Sequence, residues 1–284
     1  MEDFTEFCAP NTKIQVQNVA LNNSVSLRVI TFSPSVATDN PPVVFIPGWI
    51  SLMPGWQGAL LEMTRDFTIH YVETREKISA EVSPQTRFRV EDFARDIAGI
   101  VDYFQLPERG YILLGSSLGA TTIVDSYRFL PQPPLCLVLI CINAVFYIPK
   151  FWQNVVRFFP PRLYLGIKPV IKWYLRNFRL DVVSDAAQYA KYCRNLDAAD
   201  PWKLKKAALA FIHYSIWDRL PAIEVPALVF GASKDELHNL EDIRRIAQFL
   251  LNSTFIDLET NSQTHSAAMV LELRKYIKSL NLSS

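Results

Sequence analysis

The chain reads as an α/β domain built on a mostly parallel sheet, and three observations predict this. Strand-like and helix-like segments alternate along most of its 284 residues. Its inner strands are continuous apolar runs, such as Val43-Val44-Phe45-Ile46, of the kind buried on both faces. One further run, residues 111–114, passes through Gly115-Ser116-Ser117-Leu118-Gly119 into an apolar segment, residues 120–130. That order, strand then G-x-S-x-G then helix, is the pattern of a nucleophile elbow, in which a serine stands at the tip of a sharp turn.

The elements follow in order. Residues 13–20 and 25–32 alternate around the turn signal Asn22-Asn23-Ser24, which predicts an antiparallel hairpin; Ile14, Val16 and Val19 are read as one apolar side. Residues 43–46 form a strand that ends at Pro47-Gly48-Trp49. A short helix over 55–64 and a strand over 67–72 come next, then a polar loop over 73–89. Phe93, Ile97, Ile100, Val101 and Phe104 recur at helical spacing over 91–104. After the elbow come a strand over 135–142, a strand over 226–230 and a helix over 240–251. A strand over 254–258 and a helix over 266–280 close the chain. Between 144 and 217 this rhythm gives way to a helical insert rich in aromatic residues. It follows a strand, on the sheet edge where α/β proteins meet ligands, so it is placed to act as a lid.

Composition narrows the function. A net charge of +1 gives no global field for nucleic acid. The longest apolar run, residues 135–148, falls short of the roughly 20 needed to span a bilayer. The acidic start, Met1-Glu-Asp-Phe, lacks the features of a signal peptide. The cysteines, Cys8, Cys136, Cys141 and Cys193, make no C-x-x-C pair. They are expected as free thiols in a reducing, cytoplasmic compartment, with no metal and no cofactor.

Four stretches together resemble the α/β-hydrolase superfamily: Phe45-Ile-Pro-Gly-Trp49, residues 90–119, residues 220–235 and Gln263-Thr-His265. The resemblance covers nearly the whole chain. It implies an eight-stranded sheet, with residues 1–143 and 218–284 as the core domain and 144–217 as a helical cap after the sixth strand. It also implies a catalytic triad in the order serine, acid, histidine. Ser117 is the nucleophile on this reading. Of the four histidines, His70 lies upstream in a strand, His213 in the insert, and His238 only three residues after Asp235 at a helix start. His265, in a polar loop after the last strand, is therefore the expected base. Asp235 is the expected acid, with Glu236 as its competitor; Asn143 stands where some relatives carry the acid instead. The resemblance assigns the oxyanion hole to the backbone N–H groups of Leu118 and Trp49, or of Ile50 if the loop is shifted by one residue. Pro47 departs from the family's usual histidine, Ala120 from a second glycine, and Ala232 from a glycine ahead of the acid.

From 144 to 180 the insert has no Asp or Glu. A helix beginning near Lys168, with Pro169 in its first turn, would put Lys168, Lys172, Arg176 and Arg179 on one side. Ile167, Val170, Ile171, Tyr174 and Phe178 would lie on another, facing the core. The basic side is read as solvated surface, with contact to anionic lipid or to a second copy of the chain as alternatives. The expected function is hydrolysis of carboxylic esters with an apolar acyl or alkyl group. Thioester hydrolysis or acyl transfer would use the same residues. A catalytically silent member used for binding is the alternative of another class.

Overall fold

Nine strands form one sheet in this computed structural model, which describes residues 3–22, 24–146, 150–158, 160–179, 182, 186–212, 214–235 and 237–281. In chain order the elements are β1 (Lys13–Asn22), β2 (Val25–Ser33), β3 (Val43–Ile46), α1 (Gln57–Met63), β4 (Ile69–Val72) and β5 (Glu81–Val82). Then come α2 (Val90–Tyr103), β6 (Ile112–Ser116), α3 (Leu118–Ser126) and β7 (Cys136–Ile140). The insert carries α4 (Lys150–Phe158), α5 (Tyr164–Tyr174), α6 (Ala186–Asp197) and α7 (Pro201–Phe211). The chain closes with β8 (Ala227–Gly231), α8 (Leu240–Phe249), β9 (Ser253–Asp257), α9 (Asn261–Thr264) and α10 (Ala267–Asn281).

The sheet path is β1-β2-β4-β3-β6-β7-β8-β9. These are the eight expected strands. The ninth, two-residue β5, pairs with β2 inside the stretch read as pure loop. The β1–β2 and β2–β4 pairs are antiparallel, and every pair from β4 to β9 along the path is parallel. The inner strands β3, β4, β6, β7 and β8 are buried along their whole length, as continuous apolar runs require. In β1 the apolar side differs from the expected one. Val19 is buried and Ile14 packs partly against the core, while Val16 between them is exposed; an even and an odd position lie on opposite faces of the strand, so the three do not form one side.

The insert leaves and rejoins the core at one point, where Val145 bridges Ser215 and Ile216 N–H donates to the Ala144 carbonyl at 3.1 Å. Within it α5 differs from its sequence reading in two ways. It starts at Tyr164, directly after a 3₁₀ turn at Pro161–Leu163, so Pro169 lies inside the helix. Its lysines face α6. Lys172 Nζ lies 2.8 Å from the Asp197 carboxylate and Lys168 Nζ 3.6 Å from it. With the lysines on the α6 side, part of the apolar side lies outward: Val170 and Trp173 are exposed, as is Phe178 in the π-helical turn that follows, Leu175–Arg179.

Candidate active site

The elbow is built by steric exclusion. Ser117 sits at φ 51° and ψ −118°, a strained conformation for a residue with a side chain. Strand β6 and helix α3 meet so closely that a Cβ on Gly115 would lie 2.7 Å from the Gly119 backbone. A Cβ on Gly119 would fall against the Ile46 carbonyl oxygen, at 2.1 Å. Both glycines of G-x-S-x-G are therefore obligatory here. Leu118 is the first residue of α3, so its N–H has no intrahelical acceptor.

The serine hydroxyl lies in a continuous hydrogen-bond chain. Asn143 Nδ2 donates to Ser117 Oγ at 2.9 Å, which leaves the hydroxyl proton for His238 Nε2 at 3.2 Å. His238 Nδ1 lies 2.9 Å from Asp235 Oδ2, and a carboxylate acceptor fixes the proton on Nδ1. The Asp235 carboxylate also accepts from Leu237 N–H at 3.0 Å and from Asn261 Nδ2 at 3.1 Å. Burial alone would raise its pKa. The His238 contact and these two donors outweigh burial and hold the group below the usual carboxylate value.

The structure therefore brings Ser117 and Asp235 together, but through His238 and not through His265. The local sequence explains this. Asp235 folds the chain back on its own side chain by accepting Leu237 N–H, and Asn239 caps α8 through Glu241 and Asp242 N–H. His238 is held between these two turns, facing the acid. Two Asx residues bracketing a histidine, Asp235-x-x-His238-Asn239, are the signal that could have singled it out. His265 ends the one-turn helix α9 and turns its Nδ1–H to the Asn261 carbonyl at 2.8 Å. Its ring stacks on Trp56 at 3.8 Å. Burial, and then the charge of Lys191, push its pKa well below the ordinary histidine value. Asn143 and Asn261 are the other partners that sequence reasoning did not assign. His213 and Glu236 lie outside the described residues.

The β3 loop supplies the opposite wall. A Cβ on Gly48 would lie 3.4 Å from the Ser117 Cβ, so this loop borders the nucleophile. Ser51 N–H closes the turn onto the Gly48 carbonyl at 3.0 Å, and Trp49 N–H takes up no backbone acceptor among the described residues. Ile50, the alternative donor, adopts φ 53°. Around Trp49 and Leu118 stands an apolar cluster made by core and insert together, including Phe88, Phe93, Phe211 and the partly buried Phe146. Trp49 meets Phe211 edge-on at 5.8 Å.

Among the described residues, Cys141, Asp235 and His238 bring ligand atoms close enough for a metal ion. Two of them, on Asp235 and His238, already have work in the chain above. Cys141 stays a thiol, its pKa pushed up by burial and then by the Asp235 charge. A metal on Asp235 and His238 would compete with the bonds from Asp235 to Nδ1 or from Nε2 to Ser117.

No family model matches the chain, and no curated protein matches it. Solved structures do. It superposes on a hydrolase from Pseudomonas aeruginosa PA01 with a TM-score of 0.73 at 17% identity, covering 95% of this chain and 97% of that one. An enol-lactonase from Burkholderia xenovorans LB400 gives 0.74 at 16% identity, over 94% and 100%. A thermophilic esterase from Thermogutta terrifontis gives 0.68 at 18%, over 95% and 98%. The chain has the α/β-hydrolase fold.

Proposed function

We propose that this protein is a serine hydrolase of carboxylic esters, with Ser117 as nucleophile, His238 as base and Asp235 as the acid that orients it. The observation that carries this is the unbroken chain from Asp235 through His238 to Ser117 Oγ, at 2.9 and 3.2 Å, ending on a strained elbow serine. Neutral His238 accepts the hydroxyl proton as Oγ attacks the ester carbonyl. Asp235 stabilises the charged ring that results. The developing oxyanion is met by the N–H groups of Leu118 and Trp49, each worth roughly 3–4 kcal/mol in such sites. His238 then protonates the departing alcohol. Water deprotonated by the same ring hydrolyses the acyl-enzyme, which restores Ser117. The apolar cluster beside the two donors suits an apolar acyl or alkyl group. Thioesters and transfer to an alcohol need no further residue.

A fluorophosphonate probe tests the reading directly. The expected result is covalent labelling of wild type at Ser117, turnover of p-nitrophenyl esters, and loss of both in Ser117→Ala. Folded wild-type protein that neither labels nor turns over esters would leave a binding role instead.

For the outer face of the insert the partner we propose is an anionic lipid surface. Supporting this, Trp173 and Phe178 are 56% and 62% exposed, and the insert also exposes Arg157 on α4, Arg162 on the turn before α5 and Arg176 beside Phe178 on the turn after it. Among the described residues no helix is long and apolar enough to cross a membrane, so such contact would be peripheral.

A further inference from the structure

Behind the β3 loop, the turn after β4 carries a buried charged pair that the chain of Asp235, His238 and Ser117 does not use. Lys77 Nζ lies 2.8 Å from the Glu76 carboxylate, and both side chains are almost wholly shielded from solvent. Thr74 Oγ1 donates to Glu76 Oε1 at 2.9 Å. The lysine's second partner is the Gly48 carbonyl, at 2.9 Å. The turn is itself fastened to the insert, because Lys203 Nζ of α7 donates to the carbonyls of Lys77 and Ala80, both at 2.7 Å.

The Gly48 carbonyl belongs to the same peptide unit as the Trp49 N–H. That unit is trans, so its C=O and N–H point in opposite directions. Ser51 N–H and the Lys77 ammonium together occupy both lone pairs of the Gly48 oxygen. With the oxygen held by Lys77, the N–H is fixed on the far side of the peptide from that ammonium, in a loop where Gly48 borders Ser117. An ammonium on the carbonyl also polarises the peptide and makes its N–H a stronger donor. A buried ion pair is weak evidence for a stability role, since desolvation offsets most of its attraction. Its position on the peptide beside the nucleophile accounts for it better.

We infer that Lys77 is a positioning residue for the oxyanion hole: its ammonium pins the Gly48 carbonyl and so turns the Trp49 N–H toward the substrate oxygen as Ser117 attacks. This rests on the ester-hydrolase reading. It names the residue that sets one of the two donors without touching substrate.

The test uses full-length Lys77→Met and the double variant Glu76→Gln/Lys77→Met, which leaves no lone buried charge if the single variant folds poorly. Loss of one oxyanion donor lowers kcat by about 10²–10³-fold, so a donor left in place but misaimed should cost about 10- to 100-fold. KM and the pH midpoint of the rate should stay put, because neither ground-state binding nor the base is altered. In parallel, the backbone amide of Trp49 in tryptophan-labelled protein should shift in the NMR spectrum and exchange faster in the variants. A folded double variant with wild-type kcat and an unmoved Trp49 amide would overturn the inference. If wild type itself is inert toward esters while the Trp49 amide still moves, the ester reading fails, and what stands is that Lys77 sets the Gly48–Trp49 peptide.

Discussion

Ser117 Oγ accepts from Asn143 and faces His238 Nε2, so its proton has one direction to take. At this scale the two histidines make opposed predictions. His238→Ala removes the only ring within hydrogen-bond reach of Ser117 among the described residues, and should lower kcat/KM at least about 10³-fold. His265→Ala disturbs the stack on Trp56 and the bond to Asn261, and should retain turnover within about tenfold of wild type. Ester kinetics on both folded variants decide between them. The reverse ranking would hand the base role to His265.

At the scale of elements, α5 pairs its lysines with a neighbouring helix and leaves aromatic residues on the surface. Lys168 and Lys172 meet Asp197 on α6, with 14% and 26% of their side chains exposed, while Trp173 and Phe178 lie on the surface. Lys168→Gln/Lys172→Gln should therefore loosen α5 against α6 while sparing attachment to anionic vesicles. Trp173→Ser/Phe178→Ser should abolish that attachment. Replacing Arg157, Arg162 and Arg176 by Gln should weaken it by about 1 kcal/mol per residue at low salt, and less as salt rises. Co-sedimentation measures all three. Wild-type protein that fails to sediment with vesicles at low salt would remove lipid as the partner.

Over the whole molecule, buried neutral histidines make stability depend on pH. His70 of β4 lies under Phe104, with its Nδ1 3.0 Å from Thr31 Oγ1, and burial lowers its pKa to about 4. The unfolded chain protonates near the ordinary value of about 6.5. Between those two values the unfolded state binds more protons, so stability falls as the pH falls, by about 3 kcal/mol across the window for this one group. His265, also depressed by burial, adds to the same trend. The denaturation midpoint of wild type should drop steadily from pH 6.5 to 4, and His70→Gln should flatten much of that slope. Parallel curves for the two proteins would show that the proton uptake occurs elsewhere.

Sequence alone determined what local chemistry determines. Apolar runs such as residues 43–46 have no polar side to show, so they had to be inner strands. Gly115 and Gly119 flank a serine where any Cβ would collide, so the elbow was legible before any coordinate. The insert announced itself by breaking the strand–helix rhythm. What the tertiary structure decided were choices between chemically equivalent groups. Two histidines follow the acid, and chain order favours the later one. Which ring reaches Ser117 depends on turns that Asp235 and Asn239 close with backbone N–H groups, and no hydrophobic period records these. The outward side of α5 was likewise open until the fold set Lys168 and Lys172 beside Asp197 of another helix. Lys77 sits in a stretch that reads as plain loop, and its partner, the Gly48 carbonyl, lies 29 residues earlier. Side-chain pattern encodes which surface is buried. It does not encode which polar group meets which across the fold, because those pairings are fixed only when distant segments are brought together.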